Sequence, residues 1–170
     1  MLSPKMLEAL NGQIQWEMYS GYIYLAMSAN CESQGLKGFA NWFMVQYKEE
    51  MDHAFKMYHY VLEQGAEVDL RAIDKPQKSW DSPLRMFETA LEHEQGVTKR
   101  INDLMDLAIS EKDHATRIFL QWFVTEQVEE EANAGELVDR LKMIKDSPHA
   151  LFMLDKDLAS RSFNPAGEED

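Results

Sequence analysis

The chain has 170 residues, 45% of them hydrophobic and 28% charged, with a formal net charge of −13. That length supports one well-filled core and falls short of two ordinary domains, and the apolar fraction excludes wholesale disorder. The acidic balance is the wrong sign for a nucleic-acid or anionic-lipid surface; it suits cationic partners, metal ions among them, with most acids expected on solvated helix faces. Cys31 is the single cysteine, which excludes an intrachain disulfide and a thiolate cluster. It is expected to be a packed or weakly exposed thiol without a function. Met1 to Lys5 lacks the apolar core of a signal peptide, and no apolar run approaches membrane-spanning length. The expected location is therefore cytoplasmic, with neither nucleic acid nor membrane as a partner.

Helix signals run the length of the chain. Ser3 followed by Pro4 reads as an N-cap with proline at the first helical position, and helical periodicity continues to about Ser33. After Gly35, a second helix is predicted from about Leu36 to Gln64, stopped by Gly65 as a left-handed cap. A third opens at Ser82-Pro83 and runs to about Ser110, and a fourth runs from near Asp113 to about Lys145. Ser147-Pro148 opens a short fifth helix to about Ser160. The segment from Asn164 to Asp170, with Pro165, Gly167 and three final acids, is expected to be a flexible acidic tail beyond a single domain over residues 1–163.

Short turns within each pair make two antiparallel hairpins, separated by the stretch from Gly65 to Asp81. Roughly 16 extended residues at about 3.3 Å reach about 53 Å, and a helix of roughly 29 residues is about 43 Å long. The connection can therefore run the full length of the bundle and leave the second and third helices parallel. The fold class expected is all-α: a four-helix bundle with one long crossover and a short C-terminal helix. Val68, Leu70 and Ile73 should pin the crossover to the bundle surface or to a neighbouring subunit.

The apolar stripes are broken in a patterned way. Steps of three and four give Ile14, Glu17, Gly21 and Tyr24 on the first helix, and Phe43, Gln46, Glu50, His53 and Met57 on the second. The third gives Leu91, Glu94 and Thr98, and the fourth Phe123, Gln127, Glu130 and Ala134. Each helix thus carries an ionisable group in phase with its core-facing stripe, a costly placement unless the group is paired or bound to metal. The spacing also repeats between the halves. Glu17 and Glu50 are 33 positions apart, as are Glu94 and Gln127, and an offset of 77 carries Glu50 onto Gln127, His53 onto Glu130 and Glu49 onto Glu126. Any one in-phase Glu, or a lone Glu-x-x-His, is commonplace. The conjunction across four helices is not, and it points to a centre about a pseudo-twofold axis.

Glu50-x-x-His53 places a carboxylate and an imidazole on one helical face, within reach of one metal. Four carboxylates with one imidazole suit iron or manganese better than soft metals. Glu17, Glu50, Glu94 and Glu130 supply four negative charges, matched by two ferrous ions. The two charges added by oxidation would be cancelled by an oxo bridge or two hydroxides, so the buried centre can stay neutral in both states.

On these motifs the sequence closely resembles the prokaryotic non-haem ferritins, over essentially its whole length. The first half carries the Glu17 and Glu50-x-x-His53 of ferritin-like di-iron bundles; the second carries Glu94 but reads Gln127-x-x-Glu130, as those ferritins do. The resemblance implies a ferroxidase that oxidises ferrous iron with dioxygen at a di-iron centre and stores the ferric product in a shell of twenty-four subunits. It implies Glu17, Glu50 and His53 at the first iron, and Glu50, Glu94 and Glu130 at the second. Gln127 would lie beside the second iron as a weak ligand or hydrogen-bond partner. Glu49, Glu126 and Glu129, with Glu130 shared, would form a third iron site, and Tyr24 would stand near the centre as an electron or hydrogen-bond donor. Its alternative role is core packing with a satisfied hydroxyl.

Four rivals share the fold or the composition. Met51 occupies the position that ligates haem in bacterioferritins, but Gln127-x-x-Glu130 departs from their pattern, and no haem is expected. One cysteine excludes a rubrerythrin-like Cys-x-x-Cys module. An oxidase acting on an organic substrate would need a pocket that the sequence does not disclose. A helical scaffold with a satisfied polar network is distinguished by its indifference to metal. His59, His93, His114 and His149 are expected at the surface or in packing, and Trp16, Trp42, Trp80 and Trp122 as packing groups.

Overall fold

A computed structural model describes residues 1–145 and 147–165, and its five helices are α1 (Pro4–Ser33), α2 (Lys37–Glu63), α3 (Pro83–Ser110), α4 (His114–Ile144) and α5 (Pro148–Leu158). The expected starts are built as capped turns. Ser3, Ser82, Asp113 and Ser147 each accept a hydrogen bond from a backbone N–H three residues on, at 3.0, 3.1, 3.0 and 3.3 Å. Gly35 and Gly65 hold φ of 78° and 71° just past the ends of α1 and α2, the left-handed conformation that glycine adopts at no steric cost. The turn after α3 uses Lys112 at φ 57° for the same purpose.

Cross-helix bonds set the topology. Gln13 and Ser20 of α1 meet Arg100 and His93 of α3, so these helices are antiparallel. Gln46 and Tyr60 of α2 meet Glu130 and Thr116 of α4, antiparallel again. With α1 and α2 joined as a hairpin, α2 and α3 must be parallel, as the crossover length predicts. The crossover lies along α1: Asp69 N–H donates to Asn11 at 3.1 Å, Gln15 donates to the Ala72 carbonyl, and Arg71 pairs with Glu8 at 2.7 Å. Val68 packs against the core, whereas Leu70 and Ile73 face outward, 65% and 40% exposed.

The fifth helix stops at Leu158, two residues before the expected Ser160. Its terminal carbonyls turn instead to a side chain of α2: Asn41 Nδ2 donates to the carbonyls of Leu158 and Arg161 at 3.2 and 3.0 Å. Asp155 returns the contact by accepting from Gly38 N–H and Phe39 N–H at 2.8 and 3.0 Å, which caps the start of α2. The approach is so close that a Cβ on Gly38 would stand 1.5 Å from the Asp155 carbonyl oxygen. Asn164 and Pro165 are exposed and outside any helix; the rest of the expected tail, residues 166–170, lies outside the described residues.

The apolar core comes in two blocks. One gathers Tyr24, Phe39, Phe43, Phe87 and Leu137 with Leu154 and Leu158 of α5; the other gathers Leu10, Ile14, Met57, Ile101, Leu120 and Phe123. Cys31 lies in the first block, its Sγ 3.5 Å from Met86 Sδ, and burial pushes its thiol up to about 12. A thiol held protonated in this way is inert. Between the blocks, on all four helices, sits a polar layer.

Candidate metal centre

That layer is where the broken stripes converge. Glu17, Glu50 and Glu94 are each 1% exposed, His53 is 3%, and Gln127 and Glu130 are 4%. Helical geometry explains the level. Glu17 lies one turn beyond Ile14 on α1, and Glu50 and His53 are adjacent turns of one face of α2; α3 and α4 bring Glu94 and Glu130 to the same height from the other hairpin.

Donor atoms of Glu17, Glu50 and His53 all lie within 4.8 Å of one another, as a single cation would require. His53 Nδ1 is 3.7 Å from Glu50 Oε2, too far for a hydrogen bond and right for two groups with an ion between them. Glu17 Oε2 and Glu50 Oε2 are fully buried without hydrogen-bond partners, a costly state for carboxylate oxygens that a bound cation would relieve. His53 is packed edge-on against Trp122, ring centroids 5.3 Å apart.

The second half is held differently. Glu94 accepts hydrogen bonds from the Tyr24 hydroxyl and, at 3.1 Å, from Gln127 Nε2. Tyr24 therefore both fills the core, stacked on Phe43 with centroids 6.1 Å apart, and contacts a centre carboxylate. Glu130 accepts from Gln46 Nε2 at 2.8 Å. Glu94 and Glu130 do not join Glu50 in a second tight group; Glu130 forms one with His53 and Glu126, again within 4.8 Å.

Of the acids expected at a third site, Glu126 and Glu130 come together in that group, while Glu129 is exposed. Glu49 Oε2 is taken by Arg161 Nη2 at 2.7 Å, and the guanidinium carbon stands 4.6 Å from the centre of the Trp42 ring. Glu49 is raised by burial, with Arg161 pulling the other way.

Electrostatics carries the mark of acids crowded away from water. Burial raises Glu50 well above the ordinary carboxyl range, and the charges of Glu94, Glu17 and Glu130 raise it further. Burial brings Glu94 to about 7 against the lowering effect of its bonds from Tyr24 and Gln127. Glu130 reaches about 8, through burial first and the Glu94 charge second. Tyr24 is held protonated by burial beside Glu94 and Glu50. Each shift has the same origin: a low-dielectric setting that disfavours charge unless a cation is supplied.

Of the remaining histidines, His59, His114 and His149 are exposed, and His93 packs under Trp16 with its Nε2 2.7 Å from Ser20 Oγ; burial alone lowers it to about 4. The sequence reading did not single out Gln13, Arg100 or Arg161. Gln13 is buried one turn before Glu17, a position periodicity marks as inward, but nothing in the spacing announces a partner for it. Arg100, between Lys99 and Ile101, and Arg161, between two serines, belong to no motif.

A family model described as a ferritin-like domain matches residues 7–144. The chain is 42% identical over 164 residues to a bacterial non-heme ferritin of Staphylococcus aureus, covering 96% of this chain and 99% of that protein. It is 43% identical to that of Staphylococcus saprophyticus, covering 96% and 98%. Among solved structures, an Archaeoglobus fulgidus ferritin engineered into a closed form superposes with a TM-score of 0.95 at 52% identity, covering 96% of this chain and all of that one. A structure described as a humanized archaeal ferritin gives 0.96, also at 52% identity, with 97% and 100% covered.

Proposed function

The chain belongs to the ferritin family, and from that premise we propose that it is an iron-storage ferroxidase. Two ferrous ions enter as substrate. Glu17, Glu50 and His53 hold the first; Glu50, Glu94 and Glu130 hold the second, with Gln127 beside it and Glu50 between them. Each ion gives up one electron, and one dioxygen takes two electrons and two protons to leave as hydrogen peroxide. Hydroxides from water offset the charge gained by the iron, and the ferric product passes on to a mineral store. Glu126 and Glu130 offer a third iron position along the way out, which Glu49 joins when Arg161 releases it and Glu129 by turning inward from solvent.

The observation that carries this reading is the polar layer itself: acids from four helices buried at one level, with two carboxylate oxygens lacking any hydrogen-bond partner. A scaffold with a self-satisfied network would leave no such atoms. Tyr24, held protonated at Glu94, is placed to donate a hydrogen bond or an electron to the centre. The protein works as a homo-oligomer, a shell of twenty-four copies in the cytoplasm. In support of the oligomer, Tyr22, Phe55, Leu70, Phe152 and Met153 are all at least 47% exposed on the single chain, apolar surface that copies of itself would cover; among the described residues no helix is long and apolar enough to cross a membrane. The two staphylococcal relatives are both named non-heme ferritins, which favours a site without haem.

Aerobic addition of ferrous iron tests the reading, followed by optical absorption and negative-stain imaging for ferric mineral and shell. Glu50→Ala removes the shared carboxylate and should slow oxidation by about 100-fold or more. Wild-type rates in that variant would refute the role of Glu50, and a haem band in the purified protein would refute the absence of haem.

A further inference from the structure

The polar layer is supported by two glutamines, and they are not equivalent. Gln46 Nε2 donates to Glu130, but its Oε1 is buried without a partner. Gln13 Nε2 donates to Glu17 Oε1 at 2.9 Å, and its Oε1 accepts from Arg100 Nε, also at 2.9 Å. Arg100 is itself anchored twice: Nη2 donates to the Gly12 carbonyl at 3.2 Å, and the guanidinium carbon stands 4.5 Å from the centre of the Trp16 ring. Neither Gln13 nor Arg100 belongs to the candidate ligand set.

The chemistry of the three groups fixes their order. A guanidinium only donates, so the Gln13 amide must show it oxygen and turn nitrogen toward Glu17. The amide then occupies Glu17 Oε1 and leaves Oε2 as the free atom, in a carboxylate that has one oxygen grouped with donors of Glu50 and His53. Without Arg100 the amide loses the contact that sets its orientation. It can turn its oxygen toward the carboxylate, and Glu17 is free to swing. On the other side of the centre, nothing holds the Gln46 oxygen in this way.

We propose that Arg100 and Gln13 form a positioning relay that presents Glu17 as a one-oxygen ligand and makes the Glu17–Glu50–His53 position the tighter of the two metal positions. This rests on the ferroxidase reading above. Partners of this outer kind commonly change metal affinity by about 10- to 100-fold. Two opposing influences act here, because the guanidinium also repels a cation directly; the relay requires that positioning outweigh repulsion.

The test is anaerobic titration of the assembled protein with cobalt(II), read by calorimetry and by visible absorption of the bound ion. Arg100→Met keeps much of the length and an apolar contact with Trp16 but loses the charge and the donor, and Gln13→Leu breaks the relay from within α1. Each should weaken the first binding step by about 10-fold, leave the second within about twofold, and alter the absorption of the first ion. The double variant should lose no more than either single one, since both changes cut the same chain of bonds. A folded Arg100→Met or Gln13→Leu protein with wild-type first-step affinity would overturn the relay, as would tighter binding or additive losses. A wild-type protein that bound no cobalt would overturn the ferroxidase reading, and the relay with it.

Discussion

Metal binding at the centre should expel protons, and the number follows from three carboxyl groups. In the metal-free fold Glu50 lies well above the ordinary range, Glu130 at about 8 and Glu94 at about 7, burial being the leading cause for each. As ligands all three must be ionised. At pH 6 a group titrating at about 7 is roughly 90% protonated and one at about 8 roughly 99%. Saturation with zinc(II), used as a redox-inert probe, should therefore release about two protons per subunit from Glu94 and Glu130 at pH 6, and Glu50, raised by burial, adds to that count. At pH 8 Glu94 is about 90% ionised and Glu130 about half so, and the release from these two should fall to about 0.6. Calorimetry in two buffers of different ionisation enthalpy measures the count directly. A release near zero at pH 6, or one that does not fall by pH 8, would refute the claim that these acids are crowded and desolvated in the empty centre.

The same shifts set the sign of the pH dependence of stability. Below the unfolded carboxyl value, both folded and unfolded chains are protonated at these positions and the shifts contribute nothing. Between that value and about 8 the folded, metal-free chain binds more protons than the unfolded one, so its stability falls as pH rises through that window. Above about 8 the whole penalty is present. Metal replaces the protons, so the melting temperature of the zinc-loaded protein should not show this decline, and the gap between loaded and empty protein should widen with pH.

Arg161→Ala should free Glu49 and add about one weakly bound zinc per subunit in equilibrium dialysis, while costing about 1 kcal/mol through the lost ion pair and stacking on Trp42; unchanged stoichiometry would show that Glu49 takes no part in a third site. Lys112→Gly should stabilise the chain by about 0.5 to 1 kcal/mol, because Lys112 holds the left-handed conformation that glycine supplies after α1 and α2, and a melting temperature raised by about 2 °C would register it. Gly38→Ala should cost about 2 kcal/mol or more, since the added carbon meets backbone of α5 that cannot yield without undocking. Size-exclusion chromatography of that variant would then report whether the proposed shell depends on α5.

The fold was legible because its signals are local and mutually consistent. Ser3-Pro4, Ser82-Pro83 and Ser147-Pro148 each mark a helix start within a residue, and the crossover length alone decides that α2 and α3 are parallel. The level of the buried acids was legible for a related reason: an acid in phase with an apolar stripe has nowhere to go but inward. What periodicity cannot supply is the partner of each acid. Glu49 sits one residue from Glu50, yet it turns to Arg161, a residue 112 positions away that arrives only because α5 folds back on α2. Arg100 reaches Gln13 across 87 positions, by a contact that the α1–α3 packing creates. The end of α5 was missed by two residues for a like cause, since Asn41 of another helix takes the carbonyls that would have continued it.

The crowding that burdens the empty centre also suits it to a metal that must move on. At pH 7 a proton competes with iron at Glu130 by about 10-fold and at Glu94 by about twofold, and Glu50 adds to both. An ion arriving there meets a site whose geometry is prepared but whose full charge appears only as protons leave. Affinity is therefore lower than four pre-ionised carboxylates would give, by an order of magnitude or more, and it rises with pH until these groups are ionised. A permanent cofactor would be better served by acids kept ionised by their own hydrogen bonds and cations, the direction in which Arg161 pulls Glu49 against its burial. Protons that yield to ferrous iron, and a centre not held so tightly that ferric iron is trapped, fit a substrate in transit.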